Sequence, residues 1–235
     1  MAAVVRSRAY YVVALALAAW CALAFARTFY LRYWFDVPPL TVLLHLHGVV
    51  FTAWFVLFAI QARLISKQDY QTHRKLGIAG AVLAGLIVIL GLATAVASAS
   101  ATRPRGMGMT SAQFVLLPTL AIVLFGAFVS AALYWRRKPQ IHRRLMMLAM
   151  ISVLGPPSAR VLLLLGLQGH FLLMQTSVTA AFVIACLAAD WVKHRSVHPL
   201  YAIGGTLLVI SWPLRAWAAR TPAWEAVGNW MASLN

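Results

Sequence analysis

Apolar residues in this chain come in long runs, separated by short segments rich in arginine, lysine, proline and glycine. A bilayer core is about 30 Å thick and an α-helix rises about 1.5 Å per residue, so roughly 20 mostly apolar residues make one crossing. Seven runs meet that length: 9–32, 39–63, 74–99, 112–135, 142–167, 170–191 and 199–218. The pattern predicts an all-α polytopic membrane protein, a bundle of seven transmembrane helices forming a single domain over residues 1–235. The first run is too long, and too interrupted by Arg27, to read as a cleaved leader, and no small-x-small cleavage site follows it before the second.

Several local features refine these helices. Tyr30, Tyr33, Trp34 and Phe35 close the first run as an interfacial aromatic belt. In the second run Thr41, His45, Gly48 and Thr52 form a small, polar stripe suited to the bundle interior, while His47, Trp54 and Gln61 recur on another face that also expects cover. His45 and His47 point roughly 200° apart on a helix, so they do not share one site. The third run places Gly77, Ala81 and Gly85 on one row and Gly80 and Ala84 on the next, a spacing that suits close helix packing or a flat cofactor. Gly155-Pro156-Pro157 lacks amide donors and predicts a kink in the fifth run. The outer loop 101–111 is short and rich in glycine and proline, and the tail from Thr221 to Trp230 is amphipathic enough to lie on the outer surface.

Composition supports the same class. Apolar residues make up 63% of the chain and charged ones 10%, with mean hydropathy +0.82, too little polar surface for a soluble domain of this length. A formal charge of +16 in a soluble protein would suggest nucleic acid. Here the basic residues cluster in short loops, as topology signals facing anionic lipid do, so no nucleic-acid partner is expected. Arg6 and Arg8, then Arg63, Lys67, Arg74 and Lys75, then Arg136, Arg137, Lys138, Arg143 and Arg144, then Lys193 and Arg195 all fall on one side. That side is expected to be cytoplasmic, with the N-terminus inside and the C-terminus outside a bacterial-type inner membrane. Cys21 and Cys186 lie inside apolar runs without ligand spacing and give no sign of a disulfide or metal site.

One motif occurs twice. Gln71-Thr72-His73-Arg74-Lys75-Leu76 and Gln140-Ile141-His142-Arg143-Arg144-Leu145 share Gln-x-His-Arg-basic-Leu at two membrane entrances, and Val197-His198-Pro199-Leu200 keeps only the histidine at a third. The expected topology sorts the histidines into an outer level, His45, His47 and His170, and an inner level, His73, His142, His194 and His198. A transmembrane b-type cytochrome needs imidazole pairs from different helices near each surface, with arginines near the haem propionates. The candidate pairs are His73 with His142 inside and His45 with His170 outside. Arg74, Arg143 and Arg144 are placed for inner propionates, and Arg160 with Arg27 or Arg215 for outer ones. The plainer reading is that each His-Arg pair anchors a helix start to phosphate head groups, and His194 reads as a solvated loop residue.

A cytoplasmic metal site is the next arrangement, with His73, His142, His198 and Asp190 as nitrogen and oxygen ligands for Zn²⁺ or a similar ion, although no HExxH occurs. Arg27, Arg160 and Arg215 outnumber the outer acids Asp36 and Glu225, so at least one should meet an anionic ligand, a lipid phosphate, a propionate or water. Arg27 and Arg215 are placed to snorkel outward, which makes Arg160, beside the kink, the favoured binding group. No Ser-His-Asp set, P-loop or Gly-x-Gly-x-x-Gly appears, and with every lysine in a cytoplasmic loop a retinal protein is excluded.

With His73-Arg74, His142-Arg143-Arg144-Leu145-Met146 and Asp190 to His198-Pro199 in view, the chain resembles uncharacterised multi-spanning membrane families of bacteria that repeat His-Arg turns at helix entrances. The resemblance covers most of the chain and implies a fold, without an activity. In outline the chain is similar to the di-haem cytochrome b561 architecture. It departs from that four-helix ligand core because its outer pair would come from helices 2 and 6. The expectation is a b-type haem electron-transfer protein. The alternatives are a non-redox transporter binding lipid or a small anion, an assembly factor or accessory subunit of a larger membrane complex, and a membrane enzyme with a cytoplasmic metal.

Overall fold

The computed structural model describes residues 2–101 and 106–234, with side chains described from residue 11 onward except at Gln168 and Lys193. The side chains of Arg6 and Arg8, and positions 102–105 of the expected outer loop, lie outside the described residues. The chain is 84% helical with no strand among the described residues. It divides into two compact units, Met1–Leu90 and Gly91–Asn235, with the boundary inside one long helix.

In the first unit, α1 (Ala2–Phe25) passes into a π-helical turn, Ala26–Tyr30, closed by Leu31 N–H donating to the Ala26 carbonyl at 2.7 Å. α2 (Val42–Ser66) starts at Thr41, whose hydroxyl accepts from Leu44 N–H at 3.3 Å, as an N-cap should. α3 (Tyr70–Ala99) starts after Asp69, whose Oδ1 accepts from Thr72 N–H at 3.0 Å. α1 and α2 pack on one another, with Ala14, Leu17, Trp54 and Phe55 buried. Gly48 allows a close approach there, because a Cβ at that position would collide with the Phe29 ring carried by the π turn unless that ring moved. The expected polar stripe does face structure at Gly48 and Thr52. On the other face Trp54 is buried and Gln61 donates from Nε2 to the His73 carbonyl at 3.2 Å, so that face is covered too.

In the second unit, Thr110 and Gln113 form a reciprocal capping box ahead of α4 (Ser111–Phe114), which continues as α5 (Leu116–Tyr134). Pro139 opens α6 (Pro139–Ser152), and Gly155-Pro156-Pro157 opens α7 (Gly155–Leu164). The two are bent by 42° across Val153 and Leu154, the kink that the missing amides predict. α8 (Phe171–His194) ends at Arg195 in the left-handed region, φ 55°. His198 and Pro199 start α9 (Pro199–Ala218), and Thr221 and Pro222 start α10 (Pro222–Ala232), bent by 83° from α9.

α6 is the most enclosed element of this unit, with Met147 through Ser152 all buried. It packs on α5 and on α9, and α8 packs on α9. Glycine makes the last contacts close: a Cβ at Gly204 would stand 2.5 Å from Leu148 Cδ1, and one at Gly205 would collide with Val183. α6, α8 and α9 therefore meet tightly, and their ends at residues 140–144, 190 and 198 are drawn together.

Among the described residues five helices are long and apolar enough to cross a membrane, or up to seven if each bent pair is one span. In the most apolar of them, Tyr70–Ala99, only 17% of the apolar window is buried at a hydropathy of 2.6. Apolar side chains such as Ile78, Val82 and Ile89 point outward, which suits lipid and suits water poorly.

Candidate functional site

The best-built polar site lies at the shared end of α6, α8 and α9. Arg144 donates from Nε to Asp190 Oδ2 at 2.8 Å and from Nη2 to Asp190 Oδ1 at 2.7 Å, a bidentate pair whose side chains are 3% and 1% exposed. Its Nη1 donates to the Gln140 carbonyl at 2.7 Å and to Gln140 Oε1 at 3.2 Å, and its guanidinium lies 5.6 Å from the Tyr201 ring centroid. Asp190 Oδ2 also accepts from His198 N–H at 3.3 Å. The pair thus ties three helices at one point. Removing one partner of such a buried pair costs about 3–5 kcal/mol, because the other charge is stranded.

Two histidines border the pair. His198 caps α9 by accepting at Nδ1 from Leu200 N–H at 3.2 Å. Partial burial, and then the Arg144 charge, push its pKa below the ordinary value; Arg143 adds to this and Asp190 opposes it. His194 accepts at Nε2 from Arg143 Nη2 at 3.2 Å. His194 and His198 stand four apart in sequence, but α8 ends between them at Arg195, so they share no helical face.

His142 places Nδ1 2.8 Å from the Ala132 carbonyl in the last turn of α5. A carbonyl can only accept, so Nδ1 carries a proton and donates it. The same holds for His45, whose Nδ1 lies 3.1 Å from the Thr41 carbonyl. Metal-bound imidazoles are oriented in this way, and so are histidines that merely cap a helix end. His45 and His170 are both exposed, whereas His47 is half-buried with its ring 4.5 Å from that of Phe51. His73 and His142 belong to different units, as do His45 and His170.

Two expectations need correction, those for Arg144 and Arg215. Arg144 is committed to Asp190 and Gln140, so it is not placed for a propionate. Asp190 spends both oxygens on Arg144, and His198 spends Nδ1 on its helix cap. No cluster of three or more His, Cys, Asp or Glu able to hold a metal ion occurs among the described residues. Arg215 does not snorkel: it is 2% exposed, donating from Nη1 to the Leu117 carbonyl at 3.2 Å and from Nη2 to Ser211 Oγ at 2.9 Å, with its guanidinium 4.8 Å from the Trp212 ring. No carboxylate lies within ion-pair distance of it among the described residues, and its Nε–H meets no acceptor there. Arg160 is half-exposed and bonds back to the Pro156 carbonyl at 3.3 Å, while Arg27 is exposed over the Phe35 ring. The arginine enclosed without a counter-charge is therefore Arg215.

The pairing of Arg144 with Asp190 carried one sequence signal. Asp190 is an acid at the end of an apolar run and needs a base. The burial of Arg215 carried none, since a buried and a snorkelling arginine look alike in sequence. Comparison of the chain with protein-family models, with curated proteins and with solved structures yields no match in any of the three.

Proposed function

We propose that this chain crosses a bacterial-type inner membrane seven times, with the N-terminus in the cytoplasm and the C-terminus outside, and carries electrons on b-type haem held by histidine. The basic loops and the apolar, outward-facing helices support the topology. The hydrogen bond of His142 carries the haem reading: Nδ1–H is held by the Ala132 carbonyl, which orients the imidazole in the way metal-bound imidazoles are oriented. His73 is its proposed partner, and His45, fixed in the same way by Thr41, pairs with His170 at the outer level. Arg143 would offer a propionate its charge, and Arg160 would do so outside. Bound haem would supply reversible one-electron transfer, and the chain would set its position and potential.

Visible spectra of the purified protein, oxidised and then reduced with dithionite after expression with adequate haem, test this. A Soret band with sharp α and β bands on reduction is expected, lost in His142→Ala and in His73→Ala while membrane insertion is retained. A colourless wild-type protein sinks the reading.

Arg215 favours a second reading from another class: a non-redox protein that binds a lipid head group or a small anion, acting as a transporter or as an assembly factor or accessory subunit of a larger membrane complex. A buried cation without a carboxylate is costly unless something negative or wet reaches it. Native mass spectrometry is expected to find a bound anion or anionic lipid that Arg215→Met loses; an unchanged spectrum removes this reading.

A further inference from the structure

A second site lies within the first unit, and no basic side chain lines it. Between α1 and α2 there is a cavity of about 390 Å³, open on one side and walled mainly by apolar groups, among them Ala18 and Ala22 of α1 and Phe55 and Val56 of α2. That volume falls in the range of small-molecule sites, roughly 300–1,000 Å³. Alanine in place of larger residues on α1 leaves the space, and the π turn supplies Tyr30 to its lining. Wide turns of this kind are frequent at functional sites.

The polar end of the cavity has a fixed direction. The Thr52 hydroxyl donates to the Gly48 carbonyl at 2.7 Å, which uses its one proton. The Tyr30 hydroxyl lies 2.7 Å from Thr52 Oγ1, so Tyr30 donates to Thr52. With that proton committed, the Tyr30 oxygen faces the cavity as an acceptor only. A ligand that completes the chain must bring a hydrogen-bond donor on an apolar body.

We propose that this cavity binds a membrane-soluble alcohol or phenol, with its apolar body along Ala18, Ala22 and Val56 and its hydroxyl donating to Tyr30. Neither a histidine nor Arg215 lines the site, so its ligand is a different one from those proposed above. Full-length protein in phosphatidylcholine nanodiscs is photolabelled with a diazirine-bearing dodecanol and, separately, with its methyl ether, which has the same body and no donor. Dodecanol is expected to label peptides of residues 15–22 and 52–56 about fivefold more strongly than the ether, the factor that one net hydrogen bond of about 1 kcal/mol supplies. Tyr30→Phe combined with Thr52→Val, which removes both hydroxyl oxygens of the site, should bring the alcohol down to the level of the ether. Ala18→Leu, which fills the cavity, should abolish both labels there. Equal labelling of the wild-type protein by the two probes would mean a plain acyl-chain surface and would overturn the proposal, as would label confined to other segments.

Discussion

The two copies of the Gln-x-His-Arg-basic-Leu motif begin α3 and α6, and they end in opposite environments. In the first copy Arg74 and Lys75 are exposed, Arg74 bonds back to the Tyr70 carbonyl one turn before it, and Asp69 caps the helix from outside. In the second, the residue equivalent to Lys75 is Arg144, 2% exposed and clasped by Asp190. The motif therefore does not determine its own role. A basic residue at its fifth position becomes a surface charge or a core element according to whether a neighbouring helix presents an acid. Arginine suits the second copy because its planar fork satisfies both carboxylate oxygens and Gln140 together, which a lysine ammonium does not do with the same geometry.

The largest effect should come from breaking the buried copy. Arg144→Ala or Asp190→Ala is expected to destabilise the protein by about 3–5 kcal/mol, read as thermal unfolding in detergent. Replacing both together, Arg144→Met with Asp190→Leu, should recover most of that loss, because neither charge is then stranded. If the single and double variants unfold alike, the pair is not the element that joins α6, α8 and α9. Arg215→Met is expected to leave ligand-free stability unchanged or to raise it by roughly 1 kcal/mol. Ser211 also donates to the Leu208 carbonyl at 2.6 Å, so its hydroxyl keeps a partner without the arginine.

Acid should separate the two copies by pH window. The folded pKa of His198 lies below its ordinary 6.5, so the unfolded chain binds more protons between the two values. Its contribution is therefore complete above 6.5 and is lost as pH falls through the folded value. The charged and titratable groups around it are Arg144, Asp190, Arg143 and His194. His198→Asn, which keeps an acceptor for Leu200 N–H, should flatten the fall of Tm in this window. The Asp69 carboxyl is held below its ordinary 3.8 by the Thr72 backbone N–H and hydroxyl, so what it contributes is lost only as pH falls below that value. Asp69→Asn should alter only this lower window. The smallest effect is expected from Lys75→Ala, within about 0.5 kcal/mol by the same unfolding assay, as for an ordinary surface residue. A loss there comparable to that of Arg144→Ala would erase the contrast.

Much of the helical plan was legible in the residues themselves. Thr41, Pro139, Pro199 and Pro222 mark helix starts because a cap hydroxyl and a missing amide have local effects, and Gly155-Pro156-Pro157 marked the bend for the same reason. The π turn at Ala26–Tyr30 was not legible, since its wider hydrogen bonding leaves the hydrophobic pattern unbroken. Nor was the partner of Arg144, because the choice among acids depends on how α6, α8 and α9 pack. The histidine levels read from topology did not distinguish the exposed His45 from the half-buried His47, a difference that depends on Phe51 one turn further along α2.

The pairing of Arg144 with Asp190 also bears on the order in which the chain is assembled. The two residues are 46 positions apart, with Arg144 synthesised first. At about 5–20 residues per second, the ribosome delivers Asp190 roughly 2–9 s after Arg144. During that interval the guanidinium lacks the carboxylate it finally pairs with. The junction of α6 with α8 and α9 therefore closes late, once α8 has brought the counter-charge.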